Sequence, residues 1–270
     1  KTFHGGEMGV GVAKITEIPA VPDATKSYAQ KWGYSDIENE FGMVKTEYDL
    51  TDNWTTYAGL GAQHAHEIGT YAAPKLTNVN GNATVGRMDT NSIIDSFSGM
   101  GGIRGSFDTG VVSHKVNVGY SAQIRRDATA WRMSDSNKNP TINIYNSHDV
   151  NMPDYKPNPK GGHYDDPLTS TRSRTQGWLF SDTLGFFDDS LLFTAAARYQ
   201  KVVIRNYDNQ TGLEKTPSSF TESRWMPTFG LVYKPWETVS LYANHTEALQ
   251  PSDNAPEGTE NYGDSIGIAH

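Results

Sequence analysis

The chain has 270 residues, 36% of them hydrophobic and 20% charged, with Gly 26, Tyr 14, Trp 6, no cysteine and a formal net charge of -8. A mean hydropathy of -0.60, with no apolar run near the roughly 18 to 20 residues of a membrane helix, excludes a helical membrane protein; it leaves a membrane barrel open, because barrel strands alternate and average out polar. The acidic balance argues against a nucleic-acid partner, which requires a basic patch or stripe, and the lack of cysteine removes the disulfide framework of a small secreted module.

The N-terminal "KTFHGGEMGVGVAK" is Gly-rich and broken by charge, so it does not read as a signal peptide. From about residue 38 the dominant signal is period-two alternation, and helical periodicity is scarce. Eight strands are predicted: 41–50 (FGMVKTEYDL), 53–67 (NWTTYAGLGAQHAHE), 94–107 (IDSFSGMGGIRGSF), 111–127, 172–186 (RSRTQGWLFSDTLGF), 190–206 (SLLFTAAARYQKVVIRN), 223–234 (SRWMPTFGLVYK) and 237–249 (ETVSLYANHTEAL). Tight turns at "TDN" (51–53), "DTG" (108–110), "FDDS" (187–190) and "KPWE" (234–237) close them into four hairpins, since Asp, Asn, Gly and Pro tolerate or preset turn dihedrals. Between hairpins lie long polar stretches, 68–92, 129–170 and 207–222, read as loops.

"SHKVNVGYSAQIRR" (113–126) shows what such strands are for. Val116, Val118, Tyr120, Ala122 and Ile124 share one parity, and Ser113, Lys115, Asn117, Ser121, Gln123 and Arg125 the other. Globular strands average about five or six residues, so runs of about 12 to 16 are long. Tilted strands of about 9 to 11 residues cross a bilayer. The apolar parity then faces lipid, and the polar parity faces a wet lumen, because burying those groups unpaired costs several kcal/mol each. Open sheet edges in lipid leave backbone groups unsatisfied, so the strands belong to a closed barrel.

Catalytic motifs are lacking, which points away from an enzyme. His64 and His66 in "HAH" share one side of a strand at a spacing that suits a divalent ion, although polar aromatics at a membrane rim are the plainer account. "DNQTG" (208–212) lacks the distal Glu of a calcium loop and reads as a turn. The Asn-x-Ser/Thr sequences at Asn53, Asn82, Asn209 and Asn244 need nothing beyond chance. Trp54, Tyr57, Trp225, Tyr233 and Trp236 near strand ends suit an aromatic girdle.

Four stretches resemble the barrel of TonB-dependent ferric-siderophore receptors: "FGMVKTEYDLTDNWTTYAGLG", "TRSRTQGWLFSDTLGFFDDSLLFTAAARYQ", "WMPTFGLVYKPWETVSLYANHTEALQPSDNAP" and, more weakly, "GVVSHKVNVGYSA". The resemblance spans roughly 15–263 and implies an all-β, antiparallel, up-and-down transmembrane segment, about eight strands of a barrel of about 22. It implies a plug domain and a coupling segment, which this sequence does not show, so 1–270 reads as a partial barrel with 1–37 and 250–270 as extracellular loop remnants. Short turns are expected on the periplasmic side and long loops outside.

The resemblance further implies an outer-membrane receptor that binds ferric siderophore at its outer face and imports it with energy from the TonB complex, delivered through the plug. Its partners are then the ferric siderophore, outer-membrane lipid and TonB. No cofactor is implied, because iron arrives as a chelate. The chelate pocket in such receptors is lined by loop and lumen aromatics with a few cationic groups. On that basis Trp131, Arg132, Tyr145, Tyr155 and Tyr164, read here within the long loop after 128, are the candidate ligand-binding residues, against the alternative that they merely pack that loop. Two other functions stay open: a soluble all-β carbohydrate- or ligand-binding module, and a passive porin-type barrel.

Overall fold

The computed structural model describes residues 19–27, 29–156, 159–236 and 238–249, together with 2–4, 11–12 and 17. Alternating apolar and polar side chains without helix-period stretches leave the backbone one repetitive solution, and eight long strands result. They are β3 (Tyr34–Thr51), β4 (Trp54–Leu76), β5 (Asn82–Thr109), β6 (Val112–Ser134), β9 (Thr169–Phe186), β10 (Leu191–Asn206), β11 (Phe220–Trp236) and β12 (Val239–Thr246). Four short ones attach to them: β1 (Thr2–His4) to β3, β2 (Gly11–Val12) to β4, β7 (Thr141–Asn143) to β5 and β8 (Tyr155–Lys156) to β6. All belong to a single sheet in which the long strands follow chain order. Every pairing is antiparallel except that of β2 with β4. The eight strands and four hairpins therefore stand where the alternation places them, and among the described residues they form one sheet, not the two stacked sheets of a soluble sandwich.

The hairpin ends are tight. Gly110 turns β5 into β6 at φ 65°, and Phe187, Asp188 and Asp189 turn β9 into β10 at φ 53°, 55° and 60°. Three consecutive left-handed residues without glycine are held in part by Ser113 Oγ and Lys115 Nζ, which donate to Asp189 at 2.7 and 3.2 Å.

The opposite ends depart from the sequence reading. Residues 68–92 are not a loop: β4 continues to Leu76, β5 begins at Asn82, and Thr77 N–H donates to Asn82 O at 2.7 Å across the turn. Gly81 sits there at φ 84°, where the Tyr145 ring fills the space a Cβ would need. Alternation fades in this stretch because its apolar side chains are small and its opposite parity is not simply solvated. Likewise β6 runs to Ser134, so the second long loop starts only there. The third, 207–219, agrees with its sequence reading, and "DNQTG" is a turn: Asp208 Oδ1 accepts from the N–H groups of Gln210 and Thr211 at 3.0 Å. Those backbone donors hold its carboxyl below the ordinary carboxylate value.

Register sorts the side chains into two faces. On one lie Val116, Val118, Tyr120, Ala122 and Ile124 of β6, and, paired with them, Phe97 and Ile103 of β5 and Trp178 and Phe180 of β9. Among the described residues nothing packs over this band. Ile124 is 54% exposed, Phe97 53% and Trp178 47%, which in water would be a large sticky patch and in a bilayer is the lipid surface. Tyr120, Trp178, Tyr199 and Trp225 occupy one register row across four neighbouring strands, with ring centroids 4.9 Å apart for Tyr120–Trp178 and 5.3 Å for Tyr199–Trp225. Trp54 and Phe107 stack near the short turns. The Tyr120 row crosses the middle of the apolar strip, with Ile124 and Phe97 two same-face rows further from the short turns, while Trp54 and Phe107 mark its short-turn end.

Tyr57 does not belong to the expected aromatic girdle. It lies on the polar face, where its hydroxyl donates to Asn117 Oδ1 at 2.9 Å, and its ring fills the space that a Cβ at Gly102 or Gly119 would occupy. Odd and even positions trade faces at every residue, so an aromatic near a strand end is assigned only once register is known.

Candidate functional site

The polar face carries the groups expected of a lumen wall. Near the short-turn ends, Glu47 accepts from Arg104 Nη2 at 2.6 Å and pairs with Lys45 Nζ at 2.6 Å, and the Arg104 guanidinium lies 5.9 Å from the centre of the Tyr57 ring. Further along the strands a shallow cavity of about 480 Å³ opens, lined among others by Met43, Gly61, Met100, Gln123, Thr175 and Arg198. Two thioethers, the Lys45 ammonium, the Arg198 guanidinium and neutral hydrogen-bonding groups line it.

At the long-loop end the same strands carry a different assembly on the opposite face. Ala72 and Leu76 of β4, Ala83 and Val85 of β5, and Ile142 and Ile144 of the loop form a buried cluster, with Trp32, Tyr145 and Val150 packed against it. Two long-range bonds tie it down: Trp32 Nε1 donates to Val150 O at 3.1 Å, and Val150 N–H donates to Gln30 Oε1 at 2.8 Å.

Beside that cluster three of the five candidate ligand residues meet. Arg132 lies with its guanidinium carbon 3.8 Å from the centre of the Tyr155 ring and 3.9 Å from that of Tyr164. Its Nε donates to Asp89 Oδ2 at 2.9 Å. Asp89 is 1% exposed and also accepts from Arg87 Nε at 2.7 Å, Arg87 Nη2 at 2.9 Å and Thr70 Oγ1 at 3.0 Å. A buried carboxylate is tolerable only with such charge-assisted donors. Burial, and after it the Asp89 carboxylate, raises the Tyr164 phenol above its ordinary value, with the Arg132 guanidinium pulling the other way.

The placement differs from the sequence reading in two respects. Trp131 and Arg132 are strand residues of β6, not loop residues, and their side chains take opposite faces. Arg132 joins the clamp that fastens Tyr155 and Tyr164 of the loop to the sheet, whereas Trp131 is on the polar parity opposite Thr90. Tyr145 stands apart from both, packed on the buried cluster with its hydroxyl donating to Ala20 O at 2.7 Å. Asp89 and Arg87, the centre of the clamp, escaped the sequence reading. The usable signal is register: counting equal steps back from the Gly110 turn puts Asp89 opposite Arg132.

His64 and His66 do not converge on a common point. His64 Nδ1 is 2.7 Å from Asp95 Oδ1, and His66 Nε2 is 2.9 Å from Asn91 Oδ1. Among the described residues no group of three or more His, Cys, Asp or Glu is arranged to hold a metal ion.

Comparison with known proteins agrees with this architecture. The family model described as TonB dependent receptor-like, beta-barrel, matches residues 8–268. The ferrichrome receptor FcuA of Yersinia enterocolitica is 41% identical over all of this chain, which spans 35% of that receptor. The ferric preacinetobactin receptor BauA of Acinetobacter baumannii superposes with a TM-score of 0.76 at 23% identity, covering 99% of this chain and 38% of BauA. The siderophore receptor PiuA of the same organism gives 0.65 at 15% identity, covering 87% of this chain and 36% of PiuA. The chain thus spans about a third of the length of the curated relatives it matches. A one-sheet, two-faced stack of long hairpins with short turns at one end, matched by that model over nearly its whole length, belongs to the outer-membrane β-barrel family of TonB-dependent receptors.

Proposed function

We propose that this chain forms one arc of a receptor barrel that takes up a ferric siderophore, with ferrichrome the first chelate to test. The single observation that carries this reading is the two-faced sheet, apolar and uncovered on one side and lined with polar and flexible groups on the other, in a chain 41% identical to a ferrichrome receptor. Chemistry on the ligand is not required. The polar face offers a wall along which a hydrated chelate passes, and energy from a TonB-type partner acting through a plug opens the path.

Trp131 and the polar-face residues around the cavity are the better-placed ligand contacts. Arg132, Tyr155 and Tyr164 act on the ligand by holding the loop that borders the entrance. Growth of an iron-starved strain, dependent on a receptor carrying this sequence and fed ferric chelates one at a time, tests the reading. Uptake of radioactive iron as ferrichrome should appear with the receptor and stop when the proton-motive force is collapsed. Uptake that persists after collapse would favour a passive pore, and growth on none of the siderophores would sink the proposal.

A further inference from the structure

Near the short turns, one polar cluster interrupts the apolar parity. His114 of β6 stands directly opposite Phe107 of β5 and Leu184 of β9, and its two hydrogen-bond partners lie one diagonal step away on those same strands. Its Nδ1 is 2.8 Å from Asp182 Oδ2, and its Nε2 is 2.6 Å from Thr109 Oγ1. The imidazole lies flat on the Phe107 ring, with centroids 4.7 Å apart and planes 7° from parallel. The partners are 68 and 5 positions away from His114 in the chain, so no sequence motif announces them.

Hydroxyl, imidazole and carboxylate in that order have one consistent proton assignment. An ionised Asp182 can only accept, so His114 donates its Nδ1–H there, and Nε2 is left to accept from the Thr109 hydroxyl. A base then touches a hydroxyl nucleophile while a third group fixes the tautomer of the base. Stacking on Phe107 holds the ring in the plane that serves both bonds.

Two further observations point to use and not to support. Asp182 Oδ1 is buried without a partner, a costly arrangement that packing alone does not need. The cluster also shares the face of Val116 and Val118, and ionisable groups at membrane depth mark working sites.

Access is open on the side that matters. Thr109 is exposed at the end of β5. The strand ladder stops at the Thr109–Val112 pair, which leaves the Gly110 and Val111 N–H groups of the turn outside it and free to face a developing oxyanion. Trp54 and Phe107 mark the short-turn end of the apolar strip, the level where headgroups give way to acyl chains.

We infer that Thr109, His114 and Asp182 form an acyl-ester hydrolase site for a glycerophospholipid of the leaflet that meets the short turns. Thr109 Oγ1 adds to the ester carbonyl carbon as its proton passes to His114 Nε2. The bond to the glycerol oxygen then breaks, and that oxygen leaves with the proton as the hydroxyl of a lysophospholipid. Water next attacks the acyl-Thr109 carbonyl and gives a proton to Nε2. The fatty acid departs, and the proton returns to the Thr109 oxygen. Thr109 and His114 are the catalytic residues, and Asp182 is a positioning residue that acts through His114. The inference rests on the apolar parity meeting lipid and is independent of which chelate the receptor carries.

The experiment uses the intact receptor carrying this sequence, purified in a non-ionic detergent and mixed with diacyl phosphatidylethanolamine, with released fatty acid read by mass spectrometry. Wild type should exceed Thr109→Ala by at least about a hundredfold, the lower end of what a positioned base supplies, and Thr109→Ser should restore release. Asp182→Asn should lower kcat by at least about a hundredfold and leave KM unchanged, because it favours the wrong tautomer. A long-chain alkyl phosphonate should attach to Thr109 in wild type and not in Asp182→Asn, and the diether analogue of the lipid should yield nothing. Heat-modifiable gel mobility reports barrel folding. Thr109 is exposed, so the Ala and Ser pair decides the question even where Asp182→Asn does not fold. Equal release from wild type and Thr109→Ala, phosphonate on a residue other than Thr109, or turnover confined to a water-soluble short-chain ester would each overturn the inference. Chelate uptake is scored separately, and its loss with lipid release intact bears on the transport reading alone.

Discussion

Two regions of the same strands, on the same face, solve opposite problems. In the lower half of β5 and β6, Phe97, Ile103, Val118 and Ile124 are apolar and none of the described residues covers them. In the upper half, the same face of β4 and β5 presents Ala72, Leu76, Ala83 and Val85, and there Ile142 and Ile144 of the loop seal it into a core. The charged row through His64, Asp95 and Arg126 is the frontier between them. Apolar surface must leave water in both halves. Below the frontier lipid takes it in, and above it the protein has to build its own cover from Ile142, Ile144 and Tyr145.

The strongest way to break this contrast is at the clamp that holds the cover down. Asp89→Ala leaves Arg87 and Arg132 partly buried without their carboxylate, at a cost of about 3–5 kcal/mol for an uncompensated buried charge. Limited proteolysis should then cut within 135–168 while the membrane strands stay protected. Below the frontier, Val118→Arg should cost about 2–4 kcal/mol as a lipid-facing charge near mid-bilayer, whereas Gln123→Arg on the other face should change stability by less than about 0.5 kcal/mol. Denaturant titration of the intact receptor in lipid reads both.

Gly81→Ala demands a left-handed alanine against the Tyr145 ring and should cost about 1–2 kcal/mol, seen as faster hydrogen exchange at Ile144 N–H, which bonds Gly81 O at 2.8 Å. The smallest effect is set by pH. Tyr164 has its folded value raised above 10.0, so the neutral phenol is the form the folded clamp favours. Its contribution is full below the unfolded value and fades as pH rises through and beyond it. Loop protection should be flat between pH 6 and 9 and weaken only above about 10.

The lower half was legible because each face meets mainly one environment and so writes an alternation: Val116, Val118, Tyr120, Ala122 and Ile124 fall on one face and Lys115, Asn117, Ser121 and Gln123 on the other, broken on the apolar side only by His114, bonded to Asp182, and by Arg126, and four turns stood at Asp, Gly and Pro clusters. The upper half was not. There "TYAAPKLTNVNGNATVGRMDT" mixes small apolar with polar residues on a face covered from a distance, and a covering loop 60 residues away in sequence leaves no local mark. Arg132, Tyr155 and Tyr164 were singled out by residue type alone. Their common partner, Asp89, needs the hairpin register, and the split of Trp131 from Arg132 needs the strand to extend past 128. The charged row was hidden for the same reason: His64, Asp95 and Arg126 are scattered through the sequence and align only across three strands.

The central claim is that one parity of β6 meets lipid and the other meets water. This chain has no cysteine, so single cysteines placed in turn from Ser113 to Arg126 in the membrane-embedded receptor give a direct reading. Labels at Val116, Val118, Tyr120, Ala122 and Ile124 should be quenched by a lipid-phase quencher and resist an aqueous maleimide, and those at Lys115, Asn117, Ser121 and Gln123 should do the reverse. Loss of this period of two, or its inversion, would contradict the account.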